Sequence, residues 1–324
     1  MTVTRLKVGL ISNPKSQRNQ RDPHRLDALI KAGNGFLYER LDEMSDLVPI
    51  LERMADRGIE VIALDGGDGT IQATLTALFN NRIFDRHPAL CVLPSGMTNL
   101  IAADVGPRGG RERVMKRVIA AVHAGELAGT LIERDVMRLR YKPEELPLYG
   151  MFFGAGTIPR AMEWCRRVIH RMQVKGEGAV AITIAGIVFR HSFQGASAGD
   201  VFHGDDIILD YCEGQQSNGV KLLVFASTLS RLIMGSRPFW GPGEGNLKVT
   251  SIGFPADGLF WSLPRLLFGR RKERLDPHIF ESRRTQCVSI STEARFALDG
   301  EIFSPEPGLP VTIENAGPMR FLRW

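Results

Sequence analysis

Apolar residues in the first third of the chain fall in short runs that alternate with stretches of helical spacing. Lys7-Val8-Gly9-Leu10-Ile11-Ser12 reads as a buried strand that ends in the loop Asn13-Pro14-Lys15-Ser16. A helical segment near Arg25 to Ala32 follows, then a short strand, Gly35-Phe36-Leu37-Tyr38-Glu39. Between Leu47 and Arg57 the residues Leu47, Ile50, Leu51 and Met54 share one helical face, and Gly58 stops that helix. Glu60-Val61-Ile62-Ala63-Leu64 is a third strand, Ile71, Leu75, Leu78 and Phe79 recur at helical spacing, and Ala89-Leu90-Cys91-Val92-Leu93 is a fourth strand. This alternation predicts a parallel sheet flanked by helices.

From about Thr130 the pattern changes to short strands parted by turn clusters, such as His203-Gly204-Asp205-Asp206 and Gly241-Pro242-Gly243-Glu244-Gly245. The expected fold class is therefore α/β, with a mostly antiparallel second domain. The expected boundaries are residues 1–128 and 129–324, with the last residues packing back on the first domain.

Composition narrows the functional classes. Of 324 residues 44% are apolar and 24% charged, enough for two cored domains. No apolar run approaches the roughly 20 residues of a membrane-crossing helix, the longest candidate, 178–189, being interrupted by Thr183 and Gly186. The first residues lack an export signal, so the expectation is a cytoplasmic protein. Cys91, Cys165, Cys212 and Cys287 show no paired spacing and are expected to be buried, inert thiols. The net charge of +5 includes two basic clusters: Arg160, Arg166, Arg167, His170, Arg171 and Lys175, then Arg265, Arg270, Arg271, Lys272 and Arg274. Both suit anionic partners. No nucleic-acid motif or aromatic platform is present, and no nucleic-acid partner is expected.

The unusual chemistry lies at three strand ends, where open parallel sheets bind ligands. Gly66-Gly67-Asp68-Gly69-Thr70 follows a strand and opens a helix, a setting in which backbone amides attract phosphate oxygens. A plain turn is the alternative. The carboxylate of Asp68 argues for a cation and makes it a direct or water-mediated partner for magnesium, while Thr70 can cap the helix and donate to phosphate. The first loop brings Asn13, Lys15 and Ser16, and the third, Pro94-Ser95-Gly96-Met97-Thr98-Asn99, brings Ser95, Gly96, Thr98 and Asn99.

Taken with Asp299-Gly300-Glu301 near the C-terminus, these loops resemble, in order and spacing, the diacylglycerol kinase catalytic-domain family, which includes sphingosine and ceramide kinases and bacterial lipid kinases. The resemblance implies an N-terminal three-layer α/β nucleotide-binding domain and a C-terminal β-sandwich-like domain, with ATP and the acceptor lipid meeting between them. It also implies Mg2+. By position, Asn13, Lys15, Gly66, Gly67, Asp68, Gly69, Thr70, Ser95, Gly96, Thr98 and Asn99 would line the nucleotide, Asp299 would accept the proton, and Glu301 would help to bind nucleotide or metal. The bare residues leave another reading of Asp299 open, because Asp-Gly between Phe296-Ala297-Leu298 and Glu301-Ile302-Phe303 is also a hairpin signal.

A lipid acceptor implies contact with a membrane surface. The stretch 259–272 combines large apolar residues with a basic end, and reads either as an interfacial helix or as a core-packed helix with a solvated end. The protein is thus expected to be a cytoplasmic lipid kinase, peripheral at the inner membrane face, with a homodimer open to it. The rival readings are a kinase of the same superfamily acting on a soluble nucleotide or sugar, and a catalytically silent nucleotide or lipid binder. His203, Asp205, Asp206 and Asp210 form an acidic group for which a β-turn is expected rather than a metal site.

Overall fold

A computed structural model describes residues 7–32, 36–125, 129–172, 203–256, 258–269 and 275–324. The interrupted apolar run at 178–189 and the basic residues Lys175, Arg270, Arg271, Lys272 and Arg274 lie outside them. The chain divides into two compact units, one comprising the residues up to Arg134 together with Gly317–Trp324, the other Asp135–Ala316.

In the first unit the strands are β1 (Val8–Ser12), β2 (Phe36–Arg40), β3 (Val61–Gly66) and β4 (Ala89–Pro94). They pair in parallel in the order β4-β3-β1-β2. The helices are α1 (Gln17–Arg21), α2 (Asp27–Ala32), α3 (Leu47–Asp56), α4 (Asp68–Asn80), α5 (Leu100–Val105) and α6 (Arg111–Ala124). β1, β3 and β4 are buried on both faces, which is why they read as continuous apolar runs. One face sends Val8, Leu10, Val61, Ala63, Ala89 and Cys91 against Val114, Met115, Val118 and Val122 of α6. On the other face Gly9 leaves room for Met54 of α3, and a Cβ there would stand 2.8 Å from the methionine methyl carbon. Strand order reverses between β1 and β3, and such a switch point opens a crevice at the carboxyl ends of the strands.

The second unit begins within β5 (Thr130–Arg140) and continues through β6 (Leu148–Gly150), β7 (Phe152–Gly156), α7 (Thr157–Met172), β8 (Asp205–Asp206), β9 (Ile208–Tyr211), β10 (Gln215–Ser217), β11 (Val220–Ser227) and β12 (Leu247–Gly253). Then come α8 (Leu259–Phe268), β13 (Phe280–Thr285), β14 (Cys287–Ser291), β15 (Phe296–Leu298), β16 (Glu301–Phe303) and β17 (Val311–Arg323). One sheet has the order β10-β9-β14-β17 with β5 and β6 beside it, the other β13-β12-β11-β7-β15-β16 with β8 on β11. Their inner faces meet in one apolar core, where Leu209, Val288, Ile290, Val311 and Ile313 pack with Phe153, Val224, Val249 and Phe296. This is sandwich packing, in which alternate residues of two sheets fill a shared layer.

Two expectations need correction. Cys212 and Cys287 are not free thiols: they form a disulfide with Cα atoms 5.7 Å apart, because β9 and β14 pair antiparallel with Tyr211 opposite Val288. Only Cys91 and Cys165 are free among the described residues, and burial pushes the Cys91 thiol up to about 12. Asp205 and Asp206 form a strand on β11 rather than a turn, and Arg160 pairs with Asp205 at 2.9 Å. The second unit is mostly antiparallel as expected, with α7 a helix of 16 residues within it.

The end of β17 belongs to the first unit, where Phe321 pairs in parallel with Leu90 of β4, and Leu322 and Trp324 join the core beneath α6. Phe321 is fully buried. Phe321→Ala is expected to cost about 3–5 kcal/mol, the usual range for a buried aromatic truncated to alanine. Urea unfolding measures the loss, and amide exchange should accelerate in β3 and β4.

Candidate nucleotide site and catalytic carboxylate

Three loops leave the carboxyl ends of β1, β3 and β4, and a buried charge fixes all three. Asp65, at the end of β3, is 1% exposed. Its carboxylate accepts hydrogen bonds from the Ser12 hydroxyl at 2.9 Å, the Asn19 amide at 2.9 Å and the Ser95 hydroxyl, and it faces the guanidinium of Arg111 at 3.5 Å. Arg111 also donates to the Asn19 side-chain oxygen. A buried carboxylate is tolerated only when paired and hydrogen-bonded, and here the partners come from β1, α1, the loop after β4 and the first turn of α6.

Direct contacts between the loops add to this. The Asn13 amide donates to the Thr70 hydroxyl at 2.8 Å, joining the first loop to the second. The Asn13 side-chain oxygen accepts the Lys15 backbone N–H at 2.8 Å, and the Arg18 N–H donates to the Ser95 carbonyl at 3.1 Å, joining the first loop to the third. Gly66 is required by the Thr70 side chain, which a Cβ would meet at 2.6 Å. Gly67 and Gly96 touch backbone to backbone, so a Cβ on Gly96 would lie 2.8 Å from the Gly67 Cα. Asn99 closes the third loop in the left-handed region, with φ 49°, accepting the Gly96 N–H at 2.7 Å and donating back to its carbonyl at 3.0 Å.

Asp68 makes contacts within the protein that the sequence alone does not show. Its carboxylate turns inward, accepting from the Thr98 hydroxyl at 2.8 Å and from the N–H groups of Leu100 at 3.0 Å and Ile101 at 3.1 Å. It therefore satisfies first-turn donors of α5 in the manner of a helix cap. Burial pushes the carboxyl above its ordinary range, while Thr98, Leu100 and Ile101 pull it back. Its two oxygens are already engaged by three donors. Among the described residues no group of three or more His, Cys, Asp or Glu side chains could hold a metal ion. Lys15 is exposed and ion-paired with Glu43 at 2.7 Å. The Ser16 hydroxyl is buried without a hydrogen-bond partner.

Asp299 lies in the second unit, in the two-residue connection between β15 and β16, where Leu298 pairs with Glu301. Asp299 has φ 45° and Gly300 φ 95°, the two positive values that a type I′ hairpin turn requires. Its carboxylate is 2% exposed and accepts the backbone N–H groups of Met151 at 2.9 Å and Phe152 at 2.8 Å. Gly150 makes room for it, since a Cβ there would collide with Asp299 Oδ2. Arg166 of α7 donates to the Gly300 carbonyl, and Glu301 is exposed at the start of β16.

The model of the diacylglycerol kinase catalytic domain matches residues 7–127. Over 268 residues the chain is 24% identical to Probable lipid kinase YegS of Escherichia coli O127:H6 (strain E2348/69 / EPEC), covering 81% of this chain and 78% of that protein. The same figures hold for its namesake from Shigella flexneri. The crystal structure of a diacylglycerol kinase from Bacillus anthracis str. Sterne shares the fold with TM-score 0.63, 16% identity and coverage of 98% and 96%. A second crystal structure from that organism gives TM-score 0.67 at the same identity and coverage. These matches define the protein as a kinase. More closely, residues 7–127 match the diacylglycerol kinase catalytic-domain family, and the relatives and the fold agree with that family.

Asn19 and Arg111 were not among the residues singled out from the sequence, and Asp65 opened the glycine-rich segment without a role of its own. The available signal was an aspartate closing an otherwise apolar buried strand, which demands a cationic partner. Arg111→Met leaves that carboxylate without its counter-charge and is expected to cost about 3–5 kcal/mol in denaturant unfolding. Asp65→Ala combined with Arg111→Met should cost less than the two single losses added, because the double variant leaves no unpaired charge.

Proposed function

We propose that this protein transfers the γ-phosphoryl group of ATP to a hydroxyl of a diacylglycerol-like or long-chain-base lipid. The observation that carries the nucleotide half is the bonded set of three loops at the switch point of the parallel sheet. α4 opens there with Asp68 and Gly69 in its first turn, whose N–H groups have no intrahelical acceptor by helix geometry. The unpartnered Ser16 hydroxyl supplies a further polar atom for a phosphate or ribose oxygen. Lipid as the acceptor is supported by the family match and by the relatives named as lipid kinases.

In this reaction the acceptor oxygen bonds to the γ-phosphorus as the bond from that phosphorus to the β–γ bridging oxygen breaks. ADP leaves with the electron pair, and the hydroxyl proton passes to the carboxylate of Asp299. The Met151 and Phe152 amides hold that carboxylate in one orientation, and the hairpin turn fixes its position. Asn13, Thr70, Ser95, Gly96 and Asn99 keep the loops in register for the phosphates. Lys15, released from Glu43, would add positive charge. Glu301, an exposed carboxylate, would help to hold magnesium, which would supply positive charge to the transferring phosphoryl group. Asp68 serves as the cap of α5.

Incubation with labelled ATP, magnesium and a mixed lipid extract tests the reading, with label expected in the organic phase. Label in a soluble product would identify the soluble-substrate kinase, and nucleotide binding without any product would identify a silent binder. Asp299→Asn isolates the carboxylate from the turn, since Asn-Gly suits a type I′ hairpin equally well. It should lower turnover by about 10²–10⁴-fold, the usual worth of a general base, with nucleotide affinity retained. Full turnover in that variant would remove Asp299 from the mechanism. Gly96→Ala drives the second and third loops apart, and a shift of that kind is expected to cost on the order of 10²-fold in kcat/KM for ATP, read from initial rates.

A further inference from the structure

Helix α8 has two unlike faces. Leu259 and Leu266 are buried in a cluster with Leu222, Ile252, Leu275 and Phe280, with Leu263 packed against it. On the opposite side Trp261, Pro264, Arg265 and Phe268 are exposed, at spacings of three, four and seven that place them in one stripe. Trp261 is 77% and Phe268 57% exposed. The buried face packs the helix on the core, and the exposed face carries the stripe.

The stripe continues onto a neighbouring segment. The Arg237 N–H donates to the Leu267 carbonyl at 3.0 Å, which sets residues 233–237 against the last turn of α8. That segment carries Met234, 61% exposed, and the exposed side chain of Arg237. Residues 229–240 and 258–269 contain Arg231, Arg237 and Arg265 and no aspartate or glutamate. Large apolar tips and cations occur together with no acidic residue in either segment.

We propose that the stripe Trp261, Pro264, Arg265 and Phe268, with Met234 and Arg237, is the surface on which this protein docks to an anionic phospholipid bilayer. The choice of lipid over other anionic surfaces rests on the kinase reading above. Charge complementarity favours it independently. Tryptophan and phenylalanine on one side of a helix enter the boundary between headgroups and acyl chains, and arginines beside them meet headgroup phosphates. A helix anchored by Leu259 and Leu266 presents these side chains without refolding. Docking through it would bring a membrane-embedded acceptor to the second unit.

Co-sedimentation of the full chain with sucrose-loaded vesicles tests the proposal, using phosphatidylcholine alone or with phosphatidylglycerol added. The wild type should bind the anionic vesicles more tightly. Trp261→Ala with Phe268→Ala should weaken that binding by about tenfold or more. Arg237→Gln and Arg265→Gln should each weaken it about fivefold, the equivalent of ~1 kcal/mol per basic residue. All four positions are exposed, and matching thermal unfolding midpoints would verify that the variants fold. Transfer to diacylglycerol in detergent micelles should be unchanged in every variant. Equal vesicle binding by wild type and variants would overturn the proposal, as would wild type that binds neither vesicle. It would also fall if Trp261→Ala with Phe268→Ala dissociated a dimer in sedimentation velocity and left vesicle binding intact. If no lipid accepts phosphate while vesicle binding depends on these residues, the surface stands and the kinase reading fails.

Discussion

The carboxylate of Asp65 is the constraint around which the first unit is organised. It sits at the end of a strand buried on both faces, where an unpaired charge would be intolerable, and it is answered from four separate segments by Ser12, Asn19, Ser95 and Arg111. None of these groups can move far without leaving the carboxylate short of a partner. The loops bearing Asn13, Gly67 and Gly96 are continuous with those segments and inherit their rigidity. Preorganisation of this kind matters for phosphoryl transfer, in which the protein contributes chiefly position and electrostatics.

Asp68 and Asp299 show how one residue type is used in different ways. Asp68 spends its carboxylate on the amides of α5, joining the second loop to the third from within. Asp299 is held by the amides of Met151 and Phe152 at a turn whose two positive φ values suit Asp-Gly. Turn and base are therefore compatible roles at Asp299. The same backbone conformation that closes the hairpin fixes the direction of the side chain. A hairpin with another dipeptide could close as well and aim nothing.

Much of the fold was legible because its signals are local. β1, β3 and β4 read as apolar runs since both faces are covered, and α3 showed its buried stripe at Leu47, Ile50, Leu51 and Met54. The lateral relationships were not legible. Nothing near Asp65 in sequence names Arg111 as its partner, and only the path from β4 through α5 into α6 brings them together. Cys212 and Cys287 face each other because β9 and β14 pair, a register set by residues 75 apart in the chain. The carboxylate of Asp68 was legible as chemistry and illegible as geometry, because its orientation depends on where α5 begins.

The placement of residues 317–324 has a consequence for how the molecule is made. Phe321 completes the edge of the parallel sheet and Trp324 packs under α6, yet these residues leave the ribosome only after all of the second unit. The nascent first unit can form its strands and helices early, but its core stays open along β4 until β17 has been made. Closing it requires a contact between Leu90 and a residue more than two hundred positions later, the kind of long-range pairing that slows folding. β17 thus acts as a clasp on the first unit, one that is made only after the second unit.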